Sequence, residues 1–377
     1  MIPLPRMNRP IVYVAITAHG FGHATRAAAL VETLQRLRPD VLPVLVTTAP
    51  RWLLGSYIDG EFLYRPRALD VGVVQADSLT IDQAATLEQL QALRSRADAI
   101  VAAEVDFIRQ MSVKNGRVAL VVADLPPLAI EIARAAGLPC CAIGNFGWDF
   151  IYREWGGEFE READWIAERF SRCDRLFRLP FHEPMPAFPQ IEDAGLTGGT
   201  PRYSPAELRD KLGLPDVPRD RCVLLTFGGL GLQQIPYDRL LQFPDWLFVT
   251  FDRQAPDLPN LCKVLDPIDC QTPERGFRPV DFMPLCGRIV SKPGYGTFAE
   301  ACRTGPAIAT LTRDGFAEAP VLIEGIRNQA PYQVLQPQDF FQGDWSFLRQ
   351  PPTPAEPGQP LARDGNETIA RAIAAYF

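Results

Sequence analysis

No Asp-x-Asp pair and no Cys-x-x-Cys pair occur anywhere in the 377 residues, and only three histidines are present, His19, His23 and His182. Each scarcity closes a class of function. Without carboxylates at the Asp-x-Asp spacing, a diphosphate bridged by Mg²⁺ or Mn²⁺ has no visible ligands, so no metal site is expected. The cysteines (Cys140, Cys141, Cys173, Cys222, Cys262, Cys270, Cys286 and Cys302) are dispersed. They read as buried, reduced thiols of a cytoplasmic protein rather than as a zinc site. Positive charge is also scarce, with 38 Lys and Arg against 45 Asp and Glu and a net charge of −7. The pI is near 5.2. Nucleic-acid binding needs a dense basic face, so that partner is excluded. Long apolar runs are missing too. The run at 11–18 passes at once into polar loop residues, is too short to span a bilayer and lacks a cleavage pattern.

What is present is material for two cores. Hydrophobic residues make up 47% and charged residues 22%, and the length suits two α/β domains of about 150–200 residues. Residues 11–17 (IVYVAIT) form an apolar, β-rich run, as expected of a parallel strand buried on both faces. Residues 24–38 then place Ala28, Val31, Leu34 and Leu37 at helical spacing. Residues 41–48 read as a strand weakened by Pro43, and 81–111 as one long amphipathic helix or two shorter ones. Residues 118–123, 127–136 and 140–143 continue as strand, helix and strand. This alternation implies a doubly wound sheet.

Prolines 180, 184, 186, 189 and 201 mark a connection, after which Ser204-Pro205-Ala206-Glu207 is a strong helix start. Strands follow at 222–227, 246–251 and 287–291, and a last helix at 367–376.

Four places could carry chemistry. The loop after the first strand reads Ala18-His19-Gly20-Phe21-Gly22-His23. Its glycines would let a substrate approach the backbone and a histidine could act as general base, or it is a glycine turn with a helix-capping histidine. Asp124 ends the strand at 118–123, either as partner carboxylate of a histidine or as N-cap of the next helix. Residues 291–300 (SKPGYGTFAE) combine a strand end, a glycine loop and a helix start that could hold a diphosphate; Thr297 and Glu300 also spell a capping box. Gly228-Gly229-Leu230-Gly231 is a second stretch whose amides could face an anion, or only a turn.

Together these residues resemble the GT-B glycosyltransferases, in which strand, G-x-G-H and helix are followed by strand, G-x-G-T-x-x-E and helix. HGFGHATR (19–26), GNFGWDFIY (144–152) and KPGYGTFAEA (292–301) are similar to the glycosyltransferase-like N-terminal half of L-arabinokinases. No ATP-binding glycine–serine motif is seen in these residues, so arabinokinase activity is not implied. The resemblance, over residues 12–330, implies an α/β chain of two Rossmann-like doubly wound domains facing an interdomain cleft. Residues 1–180 would be the acceptor-side domain, 181–204 the connection, 205–350 the nucleotide-sugar-binding domain, and 351–377 a Pro-rich tail with a C-terminal helix.

By the same resemblance His23 is the base, Asp124 its partner and His19 a second ligand to sugar or acceptor. Glu300 would bind ribose hydroxyls, and backbone near Phe282 and Met283 the nucleobase. Gly20, Gly22, Gly228, Gly229, Lys292, Gly294, Tyr295, Gly296 and Thr297 would surround the diphosphate sugar. Arg313, Asp314 and Glu318 fall where the family recognises the donor sugar, although Gly-Phe-Ala-Glu-Ala-Pro replaces its usual Asp-Gln or His-Gln. The implied activity is an inverting, metal-independent transfer from a nucleoside-diphosphate sugar, UDP-linked by resemblance, to a hydroxyl acceptor, with no cofactor. Two alternatives stand beside it. Gly20, Gly22, His23 and Arg26 also match the G-x-G-H-x-x-R of sugar-nucleotide hydrolases, and GT-B-like epimerases exist; a non-catalytic sugar-nucleotide-binding module is the other. The acceptor is a small molecule or a lipid. Trp52-Leu53-Leu54, Tyr57 and 62–64, flanked by Arg51, Arg65 and Arg67, are either a peripheral membrane contact or packed structure.

Overall fold

The computed structural model describes residues 9–17, 19–76, 79–229, 232, 235–264 and 276–377. They divide into two compact units. The first comprises the described residues up to Val74 together with Ile81–Thr197 and Ala362–Phe377; the second comprises those of Gln75–Thr80 and Gly198–Leu361.

The first unit is built on seven parallel strands: β1 (Ile11–Ile16), β2 (Leu42–Val46), β3 (Leu63–Arg65), β4 (Val118–Asp124), β5 (Cys140–Gly144), β6 (Arg175–Arg178) and β7 (Ile191–Asp193). Their order is β3-β2-β1-β4-β5-β6-β7. The central strands read as unbroken apolar runs because helices cover both faces, and every residue of β1 is buried. Pro43 is the second residue of β2, beside Val12 of β1 and ahead of Val44–Val46, the part of the strand that also pairs with β3. The helix expected at 24–38 runs Gly22–Leu37, which puts Gly22 and His23 in its first turn rather than in the loop. The periodic stretch 81–111 resolves into two helices, Gln83–Ser95 and Ala97–Lys114. The first is capped by Asp82, which accepts from Ala85 N–H at 2.9 Å.

The second unit has six parallel strands: β8 (Cys222–Thr226), β9 (Leu247–Thr250), β10 (Leu261–Lys263), β11 (Arg288–Ser291), β12 (Ala307–Leu311) and β13 (Tyr332–Leu335). Their order is β10-β9-β8-β11-β12-β13. Ser204 and Glu207 form the expected capping box of helix Pro205–Leu212. Phe248, Phe340 and Trp345 anchor a core on this sheet.

The units part at Thr197/Gly198, within the stretch 181–204 read as the connection. The Pro-rich stretch first adds the edge strand β7, and the Glu183 carboxylate accepts from Gly147 N–H and Met185 N–H, which ties the stretch to the first unit. The last helix, Gly365–Ala374, also belongs to the first unit. It packs on helix Gly22–Leu37, and Arg38 donates to the carbonyls of Ala374 and Phe377. Among the described residues no helix is long and apolar enough to cross a membrane.

Candidate active site

Each sheet reverses its strand order once, between β1 and β4 in the first unit and between β8 and β11 in the second. In open α/β sheets ligands bind beyond the carboxyl ends of the strands at such a reversal. In the first unit, β1 and β4 run in register with Ile16 beside Asp124. His23 Nδ1 lies 2.8 Å from Asp124 Oδ1, and both side chains are buried. The next residue, Leu125, has φ 71, so the chain turns away at the carboxylate through a conformation uncommon outside glycine.

A third residue closes on the pair. Arg26, one helical turn after His23, donates from Nε to Asp124 Oδ2 at 2.7 Å and from Nη2 to Oδ1 at 2.5 Å. Its Nη1 donates to Asn145 Oδ1 at 3.0 Å, and Nη2 also lies 2.9 Å from His23 Nδ1. Burial alone would push the Asp124 carboxyl up; the charges of Arg26 and His23 outweigh it and hold the group below its ordinary value. Two proton patterns fit this geometry. With the proton on Nδ1, His23 donates to Asp124 and Nε2 is basic; with the proton on Nε2, Nδ1 accepts from Arg26.

Around this triad the 69–73 loop and the GNFGWDFIY segment interlock. His19 Nδ1 accepts from Val73 N–H at 3.2 Å, and the His19 ring meets Trp148 edge-on at 5.2 Å. The Trp148 indole donates to Asp70 at 3.0 Å, and Tyr152 donates to the Gly72 carbonyl. Burial pushes the Asp70 carboxyl up to about 7. A Cβ at Gly72 would lie 2.7 Å from His19 Cβ, and φ there is +65°, so only glycine fits. His23 itself touches Phe146 and Trp148, with ring centroids at 5.9 and 6.3 Å. Asp70, Asn145 and Trp148 carried no assignment from sequence, although Asn145 and Trp148 lie in a segment whose resemblance was plain.

The lipid-facing reading of 51–67 loses most of its residues. Leu53, Leu54, Tyr57 and Phe62 are buried, while Arg65 and Arg67 pair with the buried Glu104 at 2.6 and 2.9 Å. Trp52 alone of that stretch's large hydrophobics is exposed, at 50%, and its ring meets Phe21 edge-on.

In the second unit, helix Tyr295–Thr304 starts at N-cap Gly294 with no side-chain cap. Thr297 and Glu300 therefore lie inside the helix, and the capping-box reading is corrected. Lys292 passes beside Gly228, its Cε 3.5 Å from where a Cβ would stand. Gly229 is exposed next to it, while Leu230 and Gly231 fall outside the described residues, as do Ala18 and Cys270. Glu300 Oε1 accepts from Gly199 N–H at 2.7 Å, and burial pushes this carboxyl up to about 7. Phe282 and Met283 are fully buried core side chains, so only their backbone could serve a nucleobase. Arg313 is buried with its Cζ 3.8 Å over the Phe316 ring, Asp314 is exposed, and Glu318 is buried at the start of helix Glu318–Ile326. Gly20 and Gly22 flank Phe21 beside His23. Among the described residues no cluster of His, Cys, Asp and Glu could hold a metal ion.

Comparison with known proteins places these features. No family model matches the chain. An L-arabinokinase of Arabidopsis thaliana is 33% identical over 341 residues, covering 88% of this chain and 31% of the relative. The chain thus spans less than a third of the length of the curated relative it matches. Among solved structures, Os79 of O. sativa, crystallised with a trichothecene, superposes with a TM-score of 0.62 at 13% identity, covering 97% of this chain and all of that one. A UDP-glucosyltransferase of Polygonum tinctorium that glucosylates indoxyl gives 0.58 at 14% identity, covering 98% and 95%. A transferase of Siraitia grosvenorii in complex with UDP gives 0.54 at 14% identity, covering 98% and 94%. With its seven-stranded and six-stranded parallel sheets in these strand orders, the chain has the GT-B fold.

Proposed function

We propose that this chain is an inverting, metal-independent glycosyltransferase that moves a sugar from a UDP-sugar to a hydroxyl acceptor. The observation that carries the reading is the His23–Asp124–Arg26 arrangement at the strand reversal of the first unit. In the Nδ1-protonated form, Asp124 orients the imidazole and His23 Nε2 takes the acceptor's hydroxyl proton. The acceptor oxygen then bonds to the anomeric carbon as the bond to the diphosphate breaks, and UDP leaves with the electron pair. One displacement inverts the anomeric centre.

In the second unit the uncapped start of helix Tyr295–Thr304 presents the amides of Tyr295, Gly296 and Thr297, and Lys292 stands beside Gly228. Such preorganised donors stabilise the departing diphosphate by about 3–4 kcal/mol each, a role that needs no metal. Glu300 keeps its ribose assignment through Oε2, since Oε1 is held by Gly199. A fold neighbour that is a UDP-glucosyltransferase capable of glucosylating indoxyl, and another in complex with UDP, support the same class. The packed state of 51–67 favours a small-molecule acceptor over a lipid. The free thiols of the described cysteines, mostly buried, agree with a cytoplasmic setting.

The match to a segment of an L-arabinokinase favours a second reading, a sugar-nucleotide-binding module without turnover. A panel of UDP-, GDP- and TDP-sugars with mixed hydroxyl acceptors separates the two by diphosphate release. The transferase releases UDP only with acceptor; a hydrolase releases it without one; a module binds and releases nothing. His23→Ala should lower transfer about 10²- to 10⁴-fold while UDP affinity stays unchanged. Turnover within about tenfold of wild type would mean that His23 is not the base.

A further inference from the structure

Arg313 is a predicted donor-site residue whose guanidinium is buried with two of its nitrogens unpaired among the described residues. Its side chain is buried, at 6% exposure, and among the described residues Nε and Nη2 have no hydrogen-bond partner. The guanidinium stands over the Phe316 ring, its Cζ 3.8 Å from the ring centroid. Burial draws its pKa down to about 10, opposed by the nearby Glu318 charge, so the group is still a cation near neutral pH. The other buried arginines of this unit are treated differently. Arg278 is bound to Asp281 and the Thr200 carbonyl, and Arg288 to the carbonyls of Phe347 and Gln350. A buried guanidinium kept with two unpaired nitrogens is costly and serves no packing need that a leucine would not meet.

Its place in the fold says what could answer it. β11 and β12 pair with Ser291 beside Thr310. Gly294 and Arg313 each follow three residues later, so the guanidinium rises from the connection next to the one that starts helix Tyr295–Thr304. The planar fork of an arginine matches a carboxylate with two parallel hydrogen bonds.

We propose that the donor is a nucleoside-diphosphate sugar carrying a carboxylate, a uronosyl donor, and that Arg313 selects it by pairing with that carboxylate. The inference rests on the nucleotide-sugar reading given above. Glu318 beside the guanidinium limits how much anionic charge the subsite accepts, which suits one carboxylate better than a second phosphate.

The test is calorimetric titration of the full chain with UDP, UDP-glucose, UDP-glucuronate and UDP-galacturonate. Wild type should bind at least one uronate on the order of 10- to 100-fold tighter than UDP-glucose, as expected of a charged hydrogen-bonded pair. Arg313→Leu should abolish that preference while UDP affinity stays within about twofold, and its apo form should melt at a higher temperature. Arg313→Lys keeps the charge without the fork and should retain only part of the preference, which gives a second reading if the leucine variant fails to fold. Equal affinity of wild type for UDP-glucose and both uronates overturns the proposal. So does an Arg313→Leu variant that loses UDP and uronate affinity in equal measure, because the guanidinium would then be holding the diphosphate. Absence of binding by every UDP compound overturns the nucleotide-sugar reading itself and this inference with it.

Discussion

The two strand reversals of this chain solve the same electrostatic problem in opposite ways. In the first unit the charges at the base are answered from within: Asp124 by Arg26 and His23, and Arg26 also by Asn145, while Glu104 is held by Arg65 and Arg67. In the second unit Arg313 is buried with two nitrogens unanswered, and the start of helix Tyr295–Thr304 has no side-chain cap. A site that must hold a base at fixed geometry gains from internal partners, because they lock its rotamer before substrate arrives. A site that must take up a charged donor gains from groups left for the ligand to satisfy. The contrast gives each unit a different response to mutation.

The largest expected effect lies in the closed network. Arg26→Leu removes the bidentate partner of a carboxylate that is 1% exposed. Breaking a buried pair from one side costs about 3–5 kcal/mol, so the variant should unfold at markedly lower urea concentration. The sign with pH follows from the lowered Asp124 value. The stability it confers is present above its unfolded value near pH 4 and is lost as pH falls through the folded value. In Arg26→Leu that acid-side loss should shrink, because burial then works against the carboxylate with only His23 to oppose it. Equal urea midpoints for wild type and variant would break the comparison, because the first unit would then not depend on its internal partners. Arg313→Leu is the mirror case, with stability gained rather than lost.

Much of this was legible in the sequence, and what was not has a common cause. The strand-end positions of His23 and Asp124 follow from apolar runs that stop at polar residues, a local signal. So does the Ser204 capping box, whose partners are three residues apart. Arg26 was visible as part of a motif, but its bond to Asp124 spans 98 residues and no spacing rule reaches that far. Asp70 lies in an irregular loop 78 residues from the indole that binds it. The start of helix Tyr295–Thr304 shows the converse error. Thr-x-x-Glu is a local capping signature, yet β11 ends at Ser291 and Gly294 takes the extended N-cap conformation, so tertiary placement overrode it. The connection read at 181–204 contains the division at Thr197/Gly198, but proline content did not show that its first part folds with the first unit.

A second prediction concerns Asp70, a carboxyl beside the closed network that burial holds against its charge, as it does Asp149 and Glu183. Asp70 is buried and pushed up to about 7, so the folded state keeps a proton that the unfolded chain releases near pH 4. Stability should therefore fall as pH rises from about 4 to 7 and level off above that, by at most roughly 4 kcal/mol for a three-unit shift. Asp70→Asn keeps an acceptor for the Trp148 indole and removes the charge. It should flatten that slope and be more stable than wild type at pH 8, measured as urea midpoints across the range. An unchanged slope would mean that another buried carboxyl, with Glu300 of the second unit first in line, accounts for it.

The smallest effect separates backbone conformation from side-chain placement at the base. Gly20 and Gly72 both have positive φ, +70° and +65°, but a Cβ at Gly20 meets nothing within 4 Å whereas one at Gly72 meets His19 Cβ at 2.7 Å. Gly20→Ala should thus carry only the left-handed cost of about 1–2 kcal/mol and leave UDP-sugar turnover near wild type once folded. Gly72→Ala should carry that cost and also displace His19, whose Nδ1 is fixed by Val73 N–H and whose ring rests on Trp148. Because His23 touches the same indole, the displacement reaches the base, and kcat should fall in Gly72→Ala with KM for the donor unchanged. Matching kcat losses in the two variants would reduce both glycines to turn formers and remove His19 from the positioning of His23.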